Sequence, residues 1–158
     1  MREKLAGVIN TALDMLYAND KHLIYNAPDN YELDHLHHVG ERSIVFRFAH
    51  YLQNLMDADE ELHNYVLDCE YNRNGVNAKI LPSFPEGVFP DIIIHQRGSN
   101  KNNLLVCEVK TYWNCDTTRD RLKISEFISP EGEYRFKFGL SLIIERDRKS
   151  VHLDWIEE

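Results

Sequence analysis

Pro90-Asp91-Ile92-Ile93-Ile94-His95 is followed by Leu104-Leu105-Val106-Cys107-Glu108-Val109-Lys110, and these two runs decide how the chain reads. Each is a short apolar stretch, the first β-branched, with charge at one end, the pattern of a buried strand. The segment between them, Arg97-Gly98-Ser99-Asn100-Lys101-Asn102, has turn chemistry. Strands are therefore expected at about 91–96 and 103–110, joined as a hairpin. Strand side chains alternate between faces, so Glu108 and Lys110 point the same way. Asp91, Glu108 and Lys110 could then meet at one end of a sheet. Glu-x-Lys alone also describes a strand leaving the core with its charges in water.

Working outward, Leu5, Val8, Ile9, Ala12, Leu13 and Leu16 predict a helix over 2–18. Val45, Phe48, Leu52 and Leu55 predict a second over 41–57. Glu41 lies four before Val45, so the spacing sets a carboxylate on that helix's apolar face. Residues 19–38 are polar and turn-rich. Tyr65, Leu67, Cys69 and Tyr71 alternate with Val66, Asp68 and Glu70 as in a strand. Residues 72–89 read as a loop with room for a short strand. A third helix is expected over 117–129, with Thr117 and Asp120 in capping-box positions. Alternation predicts a long strand from Tyr134 to Ile144 and a last one from Val151 to Trp155. The whole reads as one α/β domain, 1–158, with a mixed sheet and helices on its faces.

The bulk numbers agree with that class. The 158 residues are 43% hydrophobic and 28% charged, and no apolar run approaches a membrane span. The N-terminus does not read as a signal or transit peptide. Cys69, Cys107 and Cys115 have no Cys-x-x-Cys spacing, which argues against a zinc ribbon and for a reducing, cytoplasmic setting. The net charge of −8 is uneven. Residues 1–70 hold 5 Lys/Arg against 13 Asp/Glu, whereas residues 71–158 hold 13 of each. Phosphate contacts need clustered cations, so any nucleic-acid contact is expected in the second half.

Pro90-Asp91 … Glu108-Val109-Lys110, with Glu41 on the preceding helix, resembles the PD-(D/E)xK phosphodiesterase superfamily. The resemblance spans about residues 39–156. It implies a restriction-endonuclease-like fold, an α-βββ-α-β core with an extra N-terminal helix here. It also implies a metal-dependent nuclease hydrolysing phosphodiester bonds, foremost in DNA. Asp91 and Glu108 would bind Mg²⁺ or Mn²⁺ with the Val109 backbone carbonyl, and Glu41 directly or through water. Hard oxygen ligands suit those cations. Lys110 would orient the attacking water or stabilise transition-state charge. The third helix would flank the substrate, making Arg119, Arg121 and Lys123 candidate phosphate contacts, with Arg73 an outside candidate. Many members dimerise to cut both strands, so a homodimer or a partner protein is among the assemblies the resemblance allows.

Other features have bland readings beside sharper ones. His35-Leu36-His37-His38 could hold a metal but lacks a matching Cys or acid spacing, which favours a structural or substrate-facing role. His95 reads as a satisfied, half-buried histidine within reach of the Asp91 strand. Glu70 and Arg73 could border the site, and Tyr112 and Trp113 read as packing at the core's edge. Two other functions stay open: a non-catalytic nuclease-like binding or assembly subunit, and a hydrolase of some other phosphate ester.

Overall fold

Leu105–Thr111 is buried along almost its whole length, the mark of a strand with both faces covered. In the computed structural model, whose described residues are 1–25 and 37–157, it is the middle strand of a five-stranded sheet. In chain order the elements are α1 (Arg2–Asn19), the one-turn α2 (Lys21–Ile24) and α3 (Glu41–Asp57). Then come β1 (Val66–Cys69), the small hairpin β2 (Arg73–Asn74) and β3 (Asn77–Ala78), and β4 (Ile92–His95). The chain continues through β5 (Leu105–Thr111), α4 (Thr118–Ile128), β6 (Phe138–Ile144), a 3₁₀ turn (Arg148–Ser150) and β7 (Leu153–Ile156). The sheet order is β1-β4-β5-β6-β7; β5 and β6 are parallel, joined across α4, and every other pair is antiparallel. This is a mixed α/β architecture with helices flanking the sheet.

The sheet separates two apolar clusters. On one face α1 and α3 pack against Ile92, Ile94, Leu105, Cys107 and Val109. On the other, Ile124 and Phe127 of α4 meet Ile93 and Val106. Period-two alternation explains the division. Gly139 on β6 lies under α4. A Cβ there would stand 2.3 Å from Ile124 Cγ2, so the helix reaches its seat only above a residue without a side chain.

Three expected boundaries move, each for a local reason. β1 stops at Cys69 because Glu70 takes a positive φ of 50°. Residues 134–137 alternate but do not extend β6. Arg135 also has a positive φ, 49°, and the Phe136 N–H donates to the Phe127 carbonyl while the Lys137 N–H donates to the Asn103 carbonyl. The capping box at Thr117 does not form: Thr117 makes no side-chain cap, and Asp116 Oδ1 accepts the Thr118 N–H at 3.0 Å. Asp120, freed from that role, is buried.

Candidate active site

Ile92 pairs with Cys107 and Ile93 with Val106, so the next step of the register sets Asp91 opposite Glu108. Asp91 shares the parity of Ile93, and Glu108 and Lys110 share that of Val106. All three therefore project on the α4 side, where that apolar cluster ends. Asp91 Oδ2 accepts the Val109 backbone N–H at 2.8 Å, which fixes the carboxylate at the end of the ladder. Glu108 is 2% exposed; its Oε2 accepts from Lys123 Nζ at 2.5 Å, and its Oε1 is buried with no hydrogen-bond partner. Lys123 also lies 3.1 Å from Asp120 Oδ1, one helical turn before it on α4. Lys110 Nζ stands 3.2 Å from Asp120 Oδ2 and 3.7 Å from Glu41 Oε1. α3 packs on the opposite sheet face, so Glu41 in its first turn reaches around the sheet's end to meet them. Glu41 Oε2 and Asp120 Oδ2 are buried without a hydrogen-bond partner.

The site thus holds four carboxylates and two ammoniums, a balance of two negative charges when all are ionised. Burial, and then the neighbouring Asp91 charge, push Glu108 up to about 8 against the pull of Lys123. Burial also raises Asp91, outweighing the Val109 N–H and both lysines. Glu41 is raised by burial too, against Lys110. For both lysines burial works against the charge, but the carboxylates outweigh it: Glu108 leads at Lys123, and Asp120 then Glu41 at Lys110. Lys123 therefore stays cationic, and Glu108 carries a proton more readily than an ordinary carboxylate.

Among the described residues no three His, Cys, Asp or Glu side chains form a ready-made metal cage. Each ammonium bridges two of the acids, Lys110 between Asp120 and Glu41 and Lys123 between Glu108 and Asp120. The donor chemistry nevertheless suits a hard divalent cation. The free donors are carboxylate oxygens, of which Glu41 Oε2 and Glu108 Oε1 are buried and unpartnered, and the uncompensated charge is that of one such ion. A cavity of about 180 Å³ opens beside Glu41 and Asp91, walled in part by Arg42, Cys69 and Glu70.

The expected residues are only partly gathered here. Asp91, Glu108, Lys110 and Glu41 converge, with Val109 in the strand between them. Of the three helix cations only Lys123 enters the site. Arg121 pairs with Asp154 of β7, and the Arg119 guanidinium lies 5.0 Å from the Phe84 ring. Spacing explains Arg121, which is two residues from Lys123 and so on another face; Arg119 shares the face of Lys123 but lies one turn away, against Phe84. Glu70 borders the cavity and pairs with Arg42 at 2.6 Å. Arg73 lines a different cavity. His95 bonds Asp68 at 2.8 Å and takes no part in the acid cluster. Of the histidine run, His35 and Leu36 lie outside the described residues, and His38 stacks on Trp113 at 4.1 Å. Tyr112 and Trp113 pack against the larger core.

Asp120 is the site residue that sequence reasoning missed, assigned there to a cap. A signal existed. Asp120, Ile124 and Phe127 follow one buried stripe on α4, so Asp120 stands on an apolar helix face as Glu41 does on α3. No protein-family model matches this chain, and neither a curated protein nor a solved structure shows significant similarity to it.

Proposed function

We propose that this chain is a metal-dependent nuclease that hydrolyses phosphodiester bonds, foremost in DNA, on a restriction-endonuclease-like version of its α/β fold. The observation that carries the reading is the pairing of Asp91 with Glu108 across β4 and β5, with Lys110 on the same face and buried carboxylate oxygens unpartnered beside them. Asp91, Glu108 and Glu41 would hold Mg²⁺ or Mn²⁺, with the Val109 carbonyl as the further ligand that the resemblance implies. Such a cation, when bound, supplies Lewis-acid polarisation of a phosphate and a lowered pKa for water. Lys123 holds Glu108 toward its ionised form, the form that binds a cation. Asp120 keeps both ammoniums at the site. Lys110 is about one-fifth exposed, so its ammonium can face charge developing on a phosphate oxygen.

A second reading has its own support. Two lysines already neutralise half of the acids, and the chain is acidic overall, as a non-catalytic binding or assembly subunit could be. The deciding experiment incubates the protein with plasmid, linear and single-stranded DNA and with RNA, each with and without Mg²⁺ or Mn²⁺. Cation-dependent cleavage, lost in Glu108→Gln, supports the nuclease. Cation binding with no cleavage supports the second reading. Cleavage confined to small phosphate esters makes the chain a hydrolase of another class.

A further inference from the structure

At the opposite end of β4 from Asp91 the molecule buries a cation that has no ion-pair partner among the described residues. Lys79 follows the β2–β3 hairpin and is 3% exposed. Its ammonium donates to the Arg73 carbonyl at 2.6 Å and lies over the rings of Tyr71, at 4.7 Å, and Tyr134, at 5.5 Å. Among the described residues no carboxylate stands within ion-pair distance of it. The nearest acids are engaged elsewhere: Asp68 by His95 and Arg97, and Glu133 by the Asn74 amide. Burial lowers the Lys79 pKa to about 8, with Asp68 and Glu133 only partly opposing it. Among the described residues the Arg73 carbonyl is the one hydrogen-bond acceptor of an ammonium with three protons, the two rings facing the rest.

A cavity of about 210 Å³ opens at this lysine. Arg73, Lys79, His95, Asn74, Ser99 and Asn100 line it, and among the described residues no Asp or Glu does, in a chain that carries eight excess negative charges. Two of its glycines, Gly75 and Gly98, take positive φ of 59° and 89° and bend their loops around the opening. A buried cation beside amide and hydroxyl groups, with no lining acid among the described residues, is the chemistry that a multiply charged oxyanion needs.

We propose that the Lys79 cavity is a phosphate-binding site, taking the phosphate group of a nucleotide or of a nucleic-acid strand. His95 shares its sheet face with Asp91, four residues away along β4, or about 13 Å at the usual rise per residue. Ile93 between them is covered by the α4 cluster, so a strand would pass around that cluster to set one phosphate in the Lys79 cavity while another reached the acids. This link to the acid cluster rests on the nuclease reading; the anion site itself does not.

The test is run without divalent cation, so it is independent of cleavage. Inorganic phosphate, a mononucleotide and a single-stranded oligonucleotide are titrated into the ¹⁵N-labelled protein. The expected result is a saturable shift of the Gly75, Gly98 and Ser99 amides. Lys79→Met should weaken binding at least about ten-fold, the scale of one charge-assisted contact. Ser99→Glu adds an acid from an exposed loop, leaves the core untouched, and should weaken it similarly. Saturation by inorganic phosphate or mononucleotide alone assigns a small-molecule site. Stronger binding of the oligonucleotide, lost in both variants, assigns the strand. Unmoved loop amides with every ligand, or a Ser99→Glu protein that binds as tightly as the parent, would overturn the proposal. Intact phosphate binding with no cleavage under Mg²⁺ would remove the nuclease and leave this site standing.

Discussion

The two ends of β4 bury charge in opposite ways. Beyond Ile92, Asp91 joins a group in which every ammonium touches a carboxylate. At His95 the neighbouring Lys79 touches a carbonyl and two rings. The first arrangement is compensated mainly from within, with a residual negative balance; the second, among the described residues, is met at contact distance by a dipole and π-faces. The contrast teaches that burial alone says little about what a charged residue does. What matters is whether its partner belongs to the protein.

The largest expected effect is on catalysis. Glu108→Gln keeps shape but removes the charge, and cation-dependent cleavage should fall by about 10³-fold or more. Full activity in this variant would end the claim that the acid end of β4 is the catalytic one. Asp91→Asn is the matching test there, because its amide oxygen can still accept the Val109 N–H. Asp91→Ala should also lose about 1 kcal/mol of stability with that bond.

Stability should separate the two lysines next. Lys123→Met strands Glu108 and Asp120 without their shared cation and should cost about 3 kcal/mol at neutral pH. Lys79→Met removes a poorly compensated charge and one hydrogen bond, and should change stability by about 1 kcal/mol or less. Chemical denaturation of both variants checks this, and equal losses would erase the distinction between the two ends.

The pH response sharpens it further. The folded Glu108 pKa, about 8, stands above its ordinary 4.5, and those of Asp91 and Glu41 are raised as well. The folded state therefore binds these protons more tightly than the unfolded one. The stabilisation from Glu108 is complete below about pH 4.5 and is lost as pH rises through about 8, with Asp91 and Glu41 acting in the same direction. Melting temperature without cation should fall across that window, and less so in Glu108→Gln. With Mg²⁺ or Mn²⁺ present the decline should flatten, and binding should release protons, read by calorimetry in buffers of different ionisation enthalpy.

The smallest effect belongs to the exposed cations of α4. Arg121→Ala breaks a surface pair with Asp154 and should cost less than about 0.5 kcal/mol. The Arg119 and Arg121 pair tests phosphate contact without disturbing the acids, which a variant including Lys123 would not. If both touch a duplex backbone, their joint loss should lower the slope of log affinity against log salt by about 1.8.

The convergence of Asp91, Glu108 and Lys110 was legible because strand parity is a local rule: two apolar runs and one turn suffice to orient them. Glu41 was legible as a carboxylate on an apolar helix stripe. Asp120 was hidden by a competing local rule, since an acid three after a threonine also describes a cap. Lys123 was read as one of three cations on a helix, and only the packing of α4 onto β5 and β6 singles it out. Lys79 gave no signal, because it sits in a polar loop. Its burial comes from Tyr71 and Tyr134, the latter 55 residues downstream.

Gly139 bears on all of this from outside the site. α4 carries Asp120 and Lys123, and its height above the sheet is set where Ile124 rests on that missing side chain. The helix behaves as a lever whose fulcrum is a hydrogen atom. A methyl group at position 139 would tilt or lift the arm, and the ammonium it holds against Glu108 would withdraw. The charge state of the buried glutamate is thus governed in part by a residue that is neither charged nor near it, and chemistry at the sheet's end becomes a matter of helix height.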